Sequence, residues 1–306
     1  MHRQSTIPRW LETWLWAIRP FTLPASVVPA LVGTALAFYD GHFHGLRFAL
    51  VLMGSVLVQI GTNLVDEYTD HAKGGSQGKL LAPYKVIALG LLSPQAVRVG
   101  AATSFGLATA IGLYLVAITN WSLLLACAAS LAVAYGYSAG PRPLGNVGLG
   151  QPLVFVFMGL LMVTATYYVQ AMTLTGPAFL ASLPVACLVT AILVVNDLRD
   201  IDEDRQAGKI TSVSYYGARF GFWLFVALVA GAYVSILAWV VVQPAMLPLL
   251  LVGLALPKGI ATIGLIRAGG SRAALNQALR GSAQLHLQFG VLLALGLVIS
   301  RLLHPV

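Results

Sequence analysis

Residues 48–74 read FALVLMGSVLVQIGTNLVDEYTDHAKG. From Phe48 to Thr62 there is no charge, and then Asp66, Glu67 and Asp70 follow in quick succession. A helix crossing a bilayer needs about 20 mostly apolar residues, so the run reads as a span and the acids as its exit from the membrane. The same event recurs further on, where ACLVTAILVV (186–195) gives way to NDLRDIDEDRQAGK (196–209). The chain holds ten acidic residues, and all but Glu12 and Asp40 lie in these two stretches.

The composition agrees with a membrane fold. Of 306 residues 58% are hydrophobic and 9% charged, with a mean hydropathy of +0.84, whereas soluble domains carry about 25% charged residues. Nine spans follow from the hydropathy, at 20–38, 48–66, 97–117, 121–138, 152–171, 178–196, 218–241, 246–265 and 282–303. Turn signals such as Tyr39-Asp40-Gly41 and Ala139-Gly140-Pro141 separate them. The expected fold is therefore all-α: a polytopic bundle of about nine transmembrane helices, one domain over 1–306. The opening MHRQSTIPRWLETWLWAIRP is too broken by charge for a cleavable signal. Its Trp10, Trp14 and Trp16 suit a lead-in helix lying in the interface.

With the amino terminus inside, fifteen of the eighteen basic residues fall on the inner side, Arg47 and Arg301 fall outside, and Lys258 lies within a span. That asymmetry obeys the positive-inside rule and puts both acidic stretches on the cytoplasmic face of a cell inner membrane. Orientation and anionic headgroups account for the +8 formal charge, so no nucleic-acid partner is implied. Cys127 and Cys187 lie in apolar runs without a Cys or His at ligand spacing, and read as small buried hydrophobes.

Helical continuation would put Gln59, Asn63, Asp66 and Asp70 on one face, at steps of four, three and four. Asn196, Asp200 and Asp204 repeat the pattern, and Asp66 to Asp200 and Asp70 to Asp204 are each separated by 134 residues. This suggests a two-half pseudo-repeat with its sites facing each other. Aligned carboxylates one turn apart repel unless a cation sits between them. Oxygen-only donors (Asp66, Glu67, Asp70, Asn196, Asp200 and Asp204) favour a hard ion such as Mg²⁺, which binds through a few carboxylates plus substrate phosphates. Asn63, Lys73, Lys85, Arg142, Arg199 and Lys209 supply groups for a diphosphate. A transporter is the rival reading, but transporter coupling residues sit near the midplane, not at helix ends on one side.

Five segments carry a family resemblance: IRPFTLPASVVPALVGTALA (18–37), TNLVDEYTDHAKGG (62–75), YSAGPRPLGNVGLGQPLVFVFMG (137–159), VNDLRDIDEDRQAGKIT (195–211) and QLHLQFGVLLALG (284–296). Over nearly the whole chain the sequence resembles the UbiA superfamily of intramembrane prenyltransferases, nearest to its 1,4-dihydroxy-2-naphthoate branch. The resemblance implies a bundle around a central cavity, with both acidic motifs holding Mg²⁺ and the diphosphate of a polyprenyl diphosphate. Asp66, Asp70, Asp200 and Asp204 would activate that donor toward an aromatic acceptor, in menaquinone biosynthesis. Benzoate, haem, chlorin or lipid-glycerol acceptors are the alternatives within the superfamily. Tyr137 would contact the donor or its cation, or serve as an interfacial belt tyrosine. His286 is the one candidate general base, against a structural role inside its helix bundle. Two departures stand out. The branch reads Asn-Asp-Tyr-x-Asp where this chain has Asp66-Glu67-Tyr68-Thr69-Asp70, and it carries an acid where this chain has Gln151.

Overall fold

A computed structural model describes residues 8–72, 84–269 and 271–304. Helices are α1 (Arg9–Ile18), α2 (Pro24–Tyr39), α3 (Gly45–Ala72), α4 (Pro94–Ile118), α5 (Ser122–Gly136) and α6 (Gly150–Ala171). They continue as α7 (Gly176–Arg199), α8 (Ile201–Gln206), α9 (Ser212–Tyr216), α10 (Ala218–Val242), α11 (Pro244–Ala268) and α12 (Arg272–Leu303). Among the described residues the sole β-type pairing is an isolated bridge between Val147 and Ile210.

Seven of these helices are long and apolar enough to span a membrane, and the bent pair Arg9–Thr22 and Pro24–Tyr39 makes an eighth. The remaining expected span is α5, whose 15 residues rise only about 22 Å, short of a hydrocarbon core about 30 Å thick. The Thr119-Asn120-Trp121 break delays its start, and it ends at Gly136. The count of nine is therefore approximate. The bend before α2 measures 55°. It follows from Pro20 and Pro24, which the preceding helix cannot run through, and from Arg19, which adopts the left-handed conformation at φ 53°.

The main core is formed by α2, α6, α7, α10, α11 and α12 around buried Val28, Leu36, Val163, Val185, Phe225, Phe289 and Leu293. Small residues let these helices approach. A Cβ on Gly159 would lie 2.2 Å from that of Ala186, and one on Gly290 would lie 2.2 Å from a Val28 methyl. In membranes, where lipid competes for apolar contact, such close backbone packing is a principal source of helix association. A second cluster joins α1, α3 and α4 through Ala17, Leu64, Val65, Val97 and Ala101, together with Val86 and Ile87 of the α3–α4 connection. A third, Leu115, Val116, Leu123 and Val169, lies at the opposite ends of α4, α5 and α6.

Candidate active site

The first motif is built on the last turns of α3. Asp66 Oδ2 accepts from Arg19 Nη1 at 2.6 Å, and Asp66 Oδ1 accepts from the Ser138 hydroxyl at 3.1 Å. Asp70 Oδ2 accepts from Lys85 Nζ at 2.5 Å. Asn63 donates to the Ile18 carbonyl at 2.8 Å and to Thr22 Oγ1 at 2.9 Å, and accepts from Gln59 at 3.3 Å. The polar face expected from the spacing is thus present, and it clamps the proline-bent entry segment onto α3.

Glu67 behaves differently. Its side chain is 1% exposed and accepts the Ile87 N–H at 3.1 Å, with Arg19 and Lys85 nitrogens each 3.7 Å away. Adjacent helical positions point about 100° apart, so Glu67 leaves the face of Asp66 and Asp70 and pins the α3–α4 connection instead.

The second motif does not continue as one helix. α7 ends at Arg199, and Asp200 leads into the short α8, accepting Asp204 N–H on its carbonyl at 2.8 Å. Arg199 folds back in a fork: Nε and Nη2 donate to Asp200 at 2.8 and 2.5 Å, and Nη2 also donates to Asn196 Oδ1 at 2.9 Å. Arg272, at the start of α12, reaches Glu203 and stands 3.5 Å from Asp200. Lys209 lies 3.3 Å from Asp204. It is held there because Ile210 donates to the Asn146 carbonyl and accepts from Gly148 N–H, at 3.0 and 2.8 Å.

Electrostatics follow this pairing. Burial works against the Lys209 ammonium, but the carboxylates of Asp204, Asp197 and Asp66 overcome it and leave its pKa raised. Lys85 is likewise raised, burial being outweighed chiefly by Asp70. Burial raises the Asp204 carboxyl despite Lys209. Lys209, from the second motif, therefore feels Asp66 from the first.

A single cavity of about 570 Å³ joins the two. Arg19, Asn63, Asp66, Tyr137, Asn196 and Lys209 line its polar end. From Asp66 it follows α3 back to Leu50, sixteen residues or about 24 Å, between apolar side chains of α4, α5 and α6. Leu115, Leu123 and Val169 line the far end. Asp70, Lys85, Arg199, Asp200 and Asp204 do not line it; Asp70 and Asp200 each follow a lining residue, Asp66 and Asn196, by four positions. Arg142 is exposed and apart from the lining, and Lys73 falls outside the described residues. His286 is fully buried and does not line the cavity.

Sequence reasoning missed Arg19 as a site residue. It lines the cavity, binds Asp66 and stacks over the Tyr84 ring at 4.6 Å. It also missed the buried contact from Gln151 to Asp197, 2.5 Å long, whose 46-residue separation leaves no local signal.

Among the described residues no group of three or more His, Cys, Asp or Glu side chains is gathered as a metal centre. The donor chemistry nevertheless fits a hard cation. Asp66, Asp70 and Asp200 are part-exposed, at 33%, 47% and 20%, and Asn63 and Asn196 flank the cavity mouth with further oxygens. Glu67 does not fit, since it is buried and committed to the Ile87 N–H.

A polar mouth of paired acidic motifs on a long apolar cavity is matched by sequence comparison: the profile of the UbiA prenyltransferase family matches residues 26–301. The chain belongs to the UbiA prenyltransferase family. It is 32% identical to the 1,4-dihydroxy-2-naphthoate octaprenyltransferase of Bacillus subtilis over 290 residues, covering 94% of this chain and 92% of that protein. It is 36% identical to the enzyme of the same name from Escherichia coli over 212 residues, 67% of this chain and 69% of that one. In fold it is similar to a UbiA homologue from Archaeoglobus fulgidus whose structure is bound to DMAPP and Mg²⁺. The TM-score is 0.60 at 15% identity, over 92% of this chain and 99% of that one. This UbiA-family chain is thus a multi-pass helical membrane protein of a prenyltransferase family.

Proposed function

We propose that this protein transfers a polyprenyl group from an allylic prenyl diphosphate to 1,4-dihydroxy-2-naphthoate, in the menaquinone pathway, at a bacterial inner membrane. The amino terminus and both acidic motifs face the cytoplasm in this reading. The observation that carries it is the cavity whose polar mouth gathers Asn63 and Asp66 with Asn196 and Lys209, while the rest is mostly apolar. The relatives' names point to the same acceptor.

Asp66, Asp70, Asp200 and Asp204 are the residues that would hold Mg²⁺. When bound, the ion supplies positive charge to a departing diphosphate. Lys209 and Arg19 line the cavity mouth and would bind the diphosphate oxygens, with Lys85 and Arg199 turning to them from their present carboxylates. Charge on the leaving group grows as the allylic C–O bond breaks, so fixed cations act most strongly on the transition state. The diphosphate leaves with the bonding electrons, the aromatic carbon bonds to the allylic carbon, and the acceptor loses its carboxylate as CO₂. Tyr137 lines the same end and would present its ring to the developing cation. The apolar wall holds the tail and excludes water from the cation. Gln151 is buried against Asp197 and off the cavity wall, so its replacement of an acid does not by itself redirect the acceptor.

The test is a product assay in nanodiscs with Mg²⁺, a geranylgeranyl donor, and dihydroxynaphthoate beside hydroxybenzoate. The expected product is a prenylated, decarboxylated naphthoquinol, and Asp200→Ala should lower its rate by about 100-fold or more. A prenylated benzoate alone would overturn the acceptor. No product from either, or Asp200→Ala near wild-type rate, would overturn the mechanism.

A further inference from the structure

Lys258 belongs to no part of this site. It lies inside the spanning helix α11, and its ammonium donates to Gln284 Oε1 of α12 at 3.0 Å on the outer surface of the bundle. Ionisable side chains within spans usually turn inward or toward water, and this one does not.

The surroundings extend the feature. On α12, Arg280, Gln284 and Gln288 recur every four residues and all three are exposed, so they form one lipid-facing polar stripe. The neighbouring Leu285, His286 and Phe289 are buried. α11 and α12 touch closely just behind the stripe, where a Cβ on Gly281 would lie 2.7 Å from the Thr262 hydroxyl. Lys258 and Arg280 therefore stand at a tight seam between the two helices, and Arg280 has no ion pair among the described residues.

Depth along α12 follows from its length. Its 32 residues make about 48 Å, well beyond a hydrocarbon core of about 30 Å. Arg301 marks the far boundary, its guanidinium lying beside the Gly41 turn. Counting back about 20 residues reaches Gly281. Arg280 is then at headgroup level on the membrane face that carries the acidic motifs, and Gln284 with Lys258 lies about one turn deeper, within reach of snorkelling.

We propose that this seam binds the phosphate headgroup of an anionic phospholipid, held by Arg280 and Lys258 with the amide of Gln284. Charge decides between a lipid and a second copy of the chain. From Ala207 to Val306 there is no acidic residue, so two copies meeting here would set cations against cations. A basic pocket between helices at the membrane surface matches the known chemistry of anionic headgroup recognition.

Native mass spectrometry of the purified full chain with phosphatidylglycerol or phosphatidylcholine tests this directly. The wild type should retain phosphatidylglycerol preferentially, and Lys258→Gln and Arg280→Gln should each cut that preference about fivefold. Gln284→Leu, which keeps both charges, should cut it less. The melting temperature read in parallel should stay at the wild-type value, because all three side chains lie on the surface. Equal retention of the two lipids by the wild type, or an unchanged preference in the double Lys258→Gln, Arg280→Gln variant, would overturn the proposal. So would a lipid-independent dimer that Lys258→Gln dissolves.

Discussion

Glu67→Ala separates a carboxylate that positions backbone from those proposed to hold the cation. The substitution removes a 1% exposed side chain, the acceptor of the Ile87 N–H, and the negative charge 3.7 Å from both Arg19 and Lys85. Breaking a buried pair costs about 3–5 kcal/mol when the surviving charge is left alone. Here Arg19 keeps Asp66 at 2.6 Å and Lys85 keeps Asp70 at 2.5 Å, so that full penalty does not apply. What remains is an orphaned buried N–H, about 1–3 kcal/mol, plus the weakened attraction, for a total of about 2–3 kcal/mol. At roughly 2 °C per kcal/mol for a long chain, the melting temperature should fall by about 5 °C. Glu67→Gln keeps an acceptor oxygen and should lose about half as much. The second readout is the Mg²⁺ concentration for half-maximal activity. Glu67→Gln should leave it unchanged, whereas Asp70→Asn should raise it. A Glu67→Gln protein that melts like wild type but needs as much extra Mg²⁺ as Asp70→Asn would refute the reasoning and return Glu67 to the metal.

Gly159→Ala should cost about 3 kcal/mol or more, because the new Cβ would meet the Ala186 Cβ and Cα at 2.2 and 2.3 Å and backbone cannot step aside as a side chain would; loss of monodisperse protein on heating reads it. Lys85 has a pKa raised above its ordinary 10.5. Its contribution to stability is therefore fully present below about pH 10.5 and lost as pH rises through the higher folded value. Melting curves should show Lys85→Met destabilised by a constant amount from pH 7 to 9.5, with the gap closing only in stronger alkali; a gap that closes near neutrality would contradict the pairing with Asp70.

The spans were legible because hydropathy needs only composition and length, and a fifteen-residue uncharged run from Phe48 has few readings. The acidic faces were legible because helical register is local. Glu67 shows the same rule used too loosely: it adjoins Asp66, and neighbours on a helix do not share a face, so the sequence already argued against grouping it with the other carboxylates. Asp200 marks the opposite failure, since nothing nearby is a Pro or Gly that would announce a helix ending at Arg199. Arg19 was counted only as a topological charge. Its place at the cavity depends on the bend before α2 and on a left-handed φ that no propensity favours. Of the basic residues offered for a diphosphate, Lys209 reaches the cavity and Arg142 does not. The difference is the Asn146–Ile210–Gly148 backbone pairing, a contact between loops about sixty residues apart in sequence that no spacing encodes.

Aligned carboxylates with no cation between them have to be compensated by other charge, and the pairing on each helix end shows how. Asp66, Asp70, Asp200 and Asp204 have as partners Arg19, Lys85, Arg199 and Lys209 respectively, so no carboxylate faces its like across a turn uncompensated. The pairs differ in the exposure of the acid. Asp70 is 47% exposed against 18% for Lys85, so water screens this pair more than the others. Asp200 is 20% exposed and gripped by two nitrogens of one planar guanidinium, which also holds Asn196; a bidentate fork of this kind is the stronger arrangement. Asp204 is 10% exposed, where separating charges is costlier still. In the proposed metal-bound state Asp70 would be the carboxylate most easily drawn from its partner. The second motif is also fixed from outside, by Arg272 on Glu203 and by the loop pairing that carries Lys209. The two halves share a spacing but not the same supports from neighbouring elements.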